Sequence, residues 1–217
     1  MDKIILTLFA ALSATLTIVA HSLRPARPRL VYLFKPLTTI LILIIALLPG
    51  TFLSDRYAGA IALGLLFGLG GDVFLMLPGN YFLYGLVSFL IGHFCYWVAF
   101  FPATFGVDFL GLLFPLLIVG GLVLRYLWPA LAKGDRVPVI LYVLIILGMT
   151  ALAIYRTLQT SSPATFSAAL GALLFLTSDI SLAVNRFRKP FALVHLVVLS
   201  TYFAGQGLIA WSVLLSR

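Results

Sequence analysis

Two aspartate residues lie inside segments that are otherwise apolar enough to be buried in a lipid bilayer. Asp72 is in GLLFGLGGDVFLML and Asp179 is in GALLFLTSDISLAV. An acidic side chain at the centre of a membrane helix costs roughly 2.5–3.5 kcal/mol on insertion scales, so it is usually retained for a function. Two carboxyl groups can share the work of acid and base in a hydrolysis, as they do in glycosidases.

The two aspartates occupy matching positions in the two halves of the chain. They are 107 residues apart in a sequence of 217 residues. Each follows a glycine, Gly64 or Gly171, by eight residues and precedes a leucine by three. This spacing predicts an internal duplication, with the two acids at equivalent places in two four-helix halves.

The composition is that of a polytopic membrane protein. The hydrophobic fraction is 63%, only 9% of the residues are charged, and the mean hydropathy is +1.17, whereas about 25% of the residues in soluble domains are charged. The net charge of +8 comes from basic residues in short loops, and with no nucleic-acid motif we expect no nucleic-acid partner. The single cysteine, Cys95, lies in an apolar run and is interpreted as a small core residue.

Eight apolar segments of about 20 residues, the length that spans a bilayer as a helix, divide the sequence. They cover residues 3–21, 30–48, 56–77, 81–101, 107–127, 137–157, 164–184 and 191–214. The sequence therefore predicts an all-α fold, a single transmembrane domain of eight helices over residues 1–217. The first segment is interpreted as a retained span, because no clear cleavage site precedes His21. The connections are short, so any active site must be built by the helices.

The basic residues are unevenly distributed between the two sides that eight spans define. Four lie on the side of the termini, at Lys3, Arg56, Arg156 and Arg217. Ten lie on the other side, at Arg24, Arg27, Arg29, Lys35, Arg125, Lys133, Arg136, Arg186, Arg188 and Lys189. By the positive-inside rule, the side with ten is cytoplasmic and both termini face outward. We expect a bacterial inner membrane protein in this orientation.

With this topology, polar groups from five helices converge on the cytoplasmic half of the bundle. Asp72 lies about 8 Å below the cytoplasmic boundary at 1.5 Å per residue, with Asp179 and Lys35 at a similar depth. Three further polar residues, His93, Tyr202 and Gln206, lie deeper in segments 4 and 8. Accidental polar substitutions would not share one leaflet.

Structural roles are the alternatives for these residues. The aspartates can pair with Lys35, which can also extend to the headgroups. His93 and Gln206 can hydrogen-bond neighbouring helices, and Tyr202 can be a packing residue. The remaining histidines, His21 and His195, lie at membrane boundaries and are interpreted as interfacial.

Other chemistries fit the sequence less well. The three histidines lack the spacing of a zinc motif, so no metal is expected. There is no GxSxG elbow, and Ser178 beside Asp179 does not make a triad. No phosphate-cradling loop is present, and no cofactor is expected.

Five stretches, taken in order, resemble the lysoplasmalogenase-like (YhhN) family of polytopic membrane proteins. They are KPLTT (35–39), GLLFGLGGDVFLML (64–77), GLVSFLIGHFCYWVAF (85–100), GALLFLTSDISLAVNRF (171–187) and TYFAGQGLIAW (201–211). The resemblance implies an eight-helix hydrolase that cleaves the vinyl-ether bond of lysoplasmalogens. The products would be a fatty aldehyde and glycerophosphoethanolamine or glycerophosphocholine. In such proteins the acids of the GD and SD motifs are the proposed catalytic pair, here Asp72 and Asp179.

Vinyl-ether hydrolysis requires a proton donor, a base for water and negative charge beside an oxocarbenium ion. Asp72, among glycines and apolar residues, is expected to be the acid. Asp179, beside the hydroxyls of Ser178 and Ser181, is expected to be the base.

The other polar groups are expected to bind the substrate, a lysophospholipid from the bilayer. Lys35 would bind its phosphate, and His93, Tyr202 and Gln206 would orient water or the glycerol oxygens. Ser178, next to Asp179, is also expected to contact the substrate. The alternative function is a small-molecule or proton-coupled transporter, since duplicated halves with buried acids also occur in transporters. The polar groups cluster in one leaflet, whereas transporters usually place their binding site near the midplane of the bilayer. This difference favours the enzyme over the transporter.

Overall fold

In a computed structural model, which describes residues 2–22, 28–102 and 104–216, the chain folds into eight long α-helices. They are α1 (Lys3–Ser22), α2 (Pro28–Leu47), α3 (Arg56–Met76), α4 (Phe82–Phe100), α5 (Asp108–Leu127), α6 (Arg136–Gln159), α7 (Pro163–Phe187) and α8 (Val194–Leu215). Two 3-10 turns, Trp128–Ala130 and Lys133–Asp135, connect α5 to α6. The described residues contain no β-strand.

The predicted all-α membrane bundle is confirmed. All eight helices in the described part of the chain are long and apolar enough to cross a membrane. Their ends lie within about three residues of the predicted ones, the usual uncertainty of helix boundaries. Of the basic residues used to predict orientation, Arg24, Arg27 and Arg217 lie outside the described residues.

Local sequence signals set several helix ends. The Asp55 side chain accepts a hydrogen bond from the backbone N–H of Tyr57 at the start of α3. Ser162 and Thr165 form a capping box at the start of α7, followed by Pro163 at the first helical position. These caps satisfy backbone N–H groups that have no partner within the helix.

Glycines bring α3 close to α4, and α7 close to α8. A Cβ atom on Gly92 of α4 would lie 3.0 Å from the carbonyl oxygen of Gly64 on α3. A Cβ atom on Gly205 of α8 would lie 2.8 Å from the carbonyl oxygen of Gly171 on α7. Because any side chain at these places would push the helices apart, the glycines fix two tightly packed helix pairs.

The helix packing repeats between the halves of the chain. In the first half α2 packs against α3, and in the second half α6 packs against α7. Across the halves, α2 packs against α8 while α6 packs against α4. This is the arrangement expected of two four-helix halves, and it places Asp72 on α3 and Asp179 on α7 near the same end of the bundle.

Candidate active site

A cavity of about 240 Å³, here called the chamber, lies among six helices at the end of the bundle where α3 and α7 end. Five of the seven residues predicted from the sequence line it: Lys35, Asp72, Ser178, Asp179 and Tyr202. The fold therefore brings the two acids, which are distant in the chain, to a common space.

Asp72 is held by charged and hydroxyl partners from two other helices. The Lys35 Nζ atom is 3.1 Å from Asp72 Oδ1. Thr39 Oγ1 donates a hydrogen bond to Oδ2 at 2.6 Å, and Tyr202 OH donates to the same oxygen at 2.8 Å. Gln206 Nε2 in turn donates to Tyr202 OH at 3.0 Å. A cation and two donors are the partners that stabilise an ionised carboxylate.

Asp179 has a different environment. Tyr142 OH donates a hydrogen bond to Asp179 Oδ2 at 2.5 Å, and His93 Nε2 lies 3.7 Å from the same oxygen. The Asp179 side chain is 14% exposed, against 1% for Asp72. Asp179 is therefore the carboxyl group that a molecule in the chamber reaches more readily.

The prediction that Ser178 and Ser181 donate hydrogen bonds to Asp179 is wrong. Ser178 Oγ donates to the carbonyl oxygen of Val198 at 2.9 Å, and Ser181 Oγ donates to that of Thr177 at 2.8 Å. Serine hydroxyls in helices often bond to backbone carbonyls in this way. The purely apolar environment expected for Asp72 is also wrong, because α2 and α8 supply its partners.

His93 and Gln206 lie behind the acids and do not line the chamber. The buried His93 ring packs at 5.2 Å from the Tyr142 ring and 4.6 Å from the Phe175 ring, measured between centroids. Gln206 is buried behind Tyr202. The direct substrate contacts expected for these two residues do not fit these positions. They are placed to hold Tyr142 and Tyr202 against the carboxyl groups.

Sequence reasoning missed several residues of the site. Tyr142 and Thr39 contact the acids, and Arg186 lines the chamber. Two sequence spacings pointed to missed residues. Tyr142 follows Lys35 by 107 residues, the same separation as that of the two acids. Arg186 follows Asp179 by seven residues, which is two helical turns along the same face of α7.

The two histidines expected at the membrane boundary also line the chamber. The rings of His21 and His195 stack with centroids 4.6 Å apart. They join α1 to α8 beside Lys35. Among the described residues, no group of three or more His, Cys, Asp or Glu side chains is arranged to hold a metal ion.

Comparisons with known proteins agree with the resemblance found in the motifs. The sequence model of the YhhN family matches residues 30–213. Lysoplasmalogenase TMEM86A of Bos taurus is 35% identical over 174 residues, covering 77% of this chain and 70% of that protein. The human protein of the same name is 33% identical over the same shares.

A bacterial relative matches over nearly the whole chain. The membrane protein YhhN of Escherichia coli O157:H7 is 29% identical over 209 residues, covering 94% of this chain and 96% of that protein. No solved structure matches the chain significantly. The family match covers most of the described helices, including all that carry the two acids and their partners, and the chain belongs to the YhhN family.

Proposed function

We propose that this protein hydrolyses the vinyl-ether bond of lysoplasmalogens within the membrane. The products are a fatty aldehyde and glycerophosphoethanolamine or glycerophosphocholine. The observation that carries the proposal is the pair of aspartates, Asp72 and Asp179, on the wall of one chamber. The relatives named lysoplasmalogenases support the substrate class.

The reaction begins with proton transfer to carbon. Protonation of the vinyl carbon farther from the ether oxygen leaves an oxocarbenium ion at the carbon that bears the oxygen. Water adds to that carbon and loses a proton to a base. The resulting hemiacetal breaks its bond to the glycerol oxygen, which takes a proton, and the aldehyde is released. One acid, one base and nearby negative charge are therefore sufficient, as in two-carboxylate glycosidases.

Asp179 is the proposed proton donor. Its side chain is the more exposed of the two acids, and no lysine or arginine nitrogen lies within ion-pair distance among the described residues. A carboxyl group buried without a cation favours its protonated form. Asp179 thus meets both requirements for delivering a proton to a substrate carbon.

Asp72 is the proposed base and counter-charge. Lys35 and the hydroxyls of Thr39 and Tyr202 supply the positive charge and the hydrogen-bond donors that a buried carboxylate requires. An ionised carboxylate stabilises the oxocarbenium ion and accepts the proton of the attacking water. This assignment reverses the division of roles expected from the sequence, because the partners of both acids differ from the expected ones.

The headgroup phosphate is assigned to Arg186 rather than to Lys35. The ammonium group of Lys35 is already paired with Asp72. Arg186 lines the chamber and stacks its guanidinium 4.8 Å from the centre of the Phe82 ring. A guanidinium group offers paired donors that match phosphate oxygens.

A direct assay tests the function. Purified protein in detergent is given lysophospholipids that differ only in the first carbon–oxygen linkage: 1-alkenyl, 1-alkyl and 1-acyl. We expect fatty aldehyde from the 1-alkenyl lipid alone. Release of fatty acid from the 1-acyl lipid would make the protein a lysophospholipase. Recovery of all three lipids intact, combined with uptake into proteoliposomes, would favour the transporter.

A further inference from the structure

A second cavity, here called the groove, adjoins the chamber on the other side of Asp179. It lies between α4 and α5 and is floored by α6 and α7. Its walls are aliphatic and aromatic, and Asp179 is the one charged residue among the described residues that line it. Such a lining favours hydrocarbon and disfavours water.

The groove and the chamber share a wall at Asp179. Leu75, Phe82, Phe89 and Leu182 line both cavities, as does Asp179 itself. The carboxyl group therefore lies where a polar space ends and an apolar one begins. A vinyl ether occupies the same place in a lysoplasmalogen, between the glycerol headgroup and the hydrocarbon chain.

The groove runs past Asp179 in both directions: the last residues of α5 and α7 line it near the end of the bundle, and its deep part extends towards the middle. Tyr142, which contacts Asp179, lies in its wall, and Ile146 lies one turn farther along α6, about 6 Å deeper at 1.5 Å per residue. On α5, which runs in the opposite direction, Val119 and Gly120 line the deep part. A lipid whose headgroup occupies the chamber can place its chain in this deep part, towards the bilayer centre.

The groove is narrow and open on one side. Its volume of about 70 Å³ holds about five to seven water-sized groups at 10–15 Å³ each, which suits the first methylene groups of a single chain and not two chains side by side. Val119 is 42% exposed, and α5 packs mainly against α6 and only slightly against α7. A chain can therefore enter from the lipid beside α5.

The crevice that corresponds to the groove in the other half does not reach Asp72 among the residues that the structure describes. The corresponding crevice between α1, α2 and α8 is lined by residues such as Ala10, Ile42 and Phe203, and Asp72 is not among them. The asymmetry matches the proposed roles, since only the proton donor must meet the end of the hydrocarbon chain.

We propose that the groove binds the single hydrocarbon chain of the substrate and sets its first double bond against Asp179. This inference rests on the proposed function and deepens it by assigning the site that binds the chain, in which width excludes a branched chain. The wall of the groove on α5 then determines how long a chain is accepted.

A matched pair of substitutions tests the groove. Val119→Trp adds bulk to its deep wall, whereas Ile118→Trp adds the same bulk at the next residue, which is 49% exposed and does not line the groove. We expect Val119→Trp to lower kcat/KM for a hexadecenyl substrate at least tenfold. For an octenyl substrate, kcat/KM should stay within threefold of the value for the unmodified protein. Ile118→Trp should change neither. Equal effects of both substitutions, or an equal loss for both chain lengths, would overturn the proposal.

A second measurement does not depend on turnover or on the tolerance of α5 for tryptophan. Asp179→Asn protein is photolabelled with a lysoplasmalogen that carries a diazirine near the end of its chain. We expect labelled peptides from α5 and α6 around Val119 and Ile146. Labelling confined to α1 and α8, in the crevice around Ala10 and Phe203, would overturn the groove assignment.

The two hypotheses fail differently. If unmodified protein releases no aldehyde from any 1-alkenyl lipid, the proposed function fails. If it releases aldehyde but Val119→Trp shows no dependence on chain length, or the photolabel lies in the crevice around Ala10 and Phe203, only the groove assignment fails.

Discussion

Lys35 and Tyr142 hold corresponding positions in the two halves of the bundle. Lys35 of α2 contacts Asp72 of α3, and Tyr142 of α6 contacts Asp179 of α7. Tyr142 follows Lys35 by 107 residues, the separation of the two acids. The same framework thus offers a cation to one carboxyl group and a neutral hydroxyl to the other. That difference underlies the proposed division into base and acid.

The remaining partners are exchanged between the halves. Tyr202, on α8 of the second half, donates to Asp72 of the first. His93, on α4 of the first half, lies beside Asp179 of the second. The site therefore forms only when the two halves are packed together, and neither half alone would contain a complete carboxyl environment.

The substitutions Asp72→Asn and Asp179→Asn test the proposed catalytic roles of the two acids. Each should lower kcat at least ~100-fold, the scale of losing a general acid or base. Asparagine is nearly isosteric, so both variants should insert and elute as the unmodified protein does. Asp108→Asn, at an exposed position at the start of α5, is the control and should retain activity. Near-normal turnover in either chamber variant would return that aspartate to a structural role.

Lys35→Met separates two roles for Lys35. If the ammonium group supports Asp72 through their ion pair, kcat should fall nearly as far as in Asp72→Asn, with a smaller change in KM. The double variant should be within threefold of either single variant, because both changes remove the same unit. A rise in KM with kcat unchanged would instead support the phosphate contact expected from the sequence. Lys189→Met, outside the chamber lining, is the control.

Tyr142→Phe removes the hydroxyl that donates to Asp179 and leaves the ring in place. One such hydrogen bond is worth about 0.5–1.5 kcal/mol, so kcat should fall about 2- to 12-fold while KM stays nearly constant. Steady-state kinetics on the 1-alkenyl lipid measure both. Tyr84→Phe, at an exposed position on α4, should behave as the unmodified protein. A loss larger than that of Asp179→Asn would contradict a positioning role for Tyr142.

Solvent deuterium reports the proton transfer itself. In heavy water, with the aldehyde trapped at once by reduction, the fatty product should carry one deuterium on the carbon next to the former aldehyde carbon. The rate should also fall if this transfer limits turnover. Aldehyde without that label would rule out protonation by Asp179, whatever the variants show.

The ten-to-four distribution of basic residues predicts that both termini face outward and that the chamber lies on the cytoplasmic side. Single cysteines, introduced into a Cys95→Ser background in the loops after α1 and after α7, should resist a membrane-impermeant thiol reagent added to intact cells. Cysteines placed beside Asp55 or Ser161, in loops at the opposite end of the bundle, should react. The reverse labelling pattern would show that the chamber lies in the outer leaflet.

The amino-acid sequence alone determined the eight helices and the two acids. A bilayer requires about 20 apolar residues per span with every backbone hydrogen bond made inside the helix, so hydropathy and helix ends are readable locally. The cost of a buried carboxyl group marks Asp72 and Asp179 without any knowledge of their neighbours.

Only the tertiary structure decided the partners of the acids, and with them the proposed roles. Tyr142 lies 37 residues from Asp179, and Tyr202 lies 130 residues from Asp72. Contacts over such separations depend on how helices rotate and pack, which the hydropathy of a single helix does not encode. Ser178 shows the limit: it is adjacent to Asp179 in sequence, yet the helix directs its hydroxyl to the carbonyl oxygen of Val198 on α8, because successive side chains of a helix point in different directions.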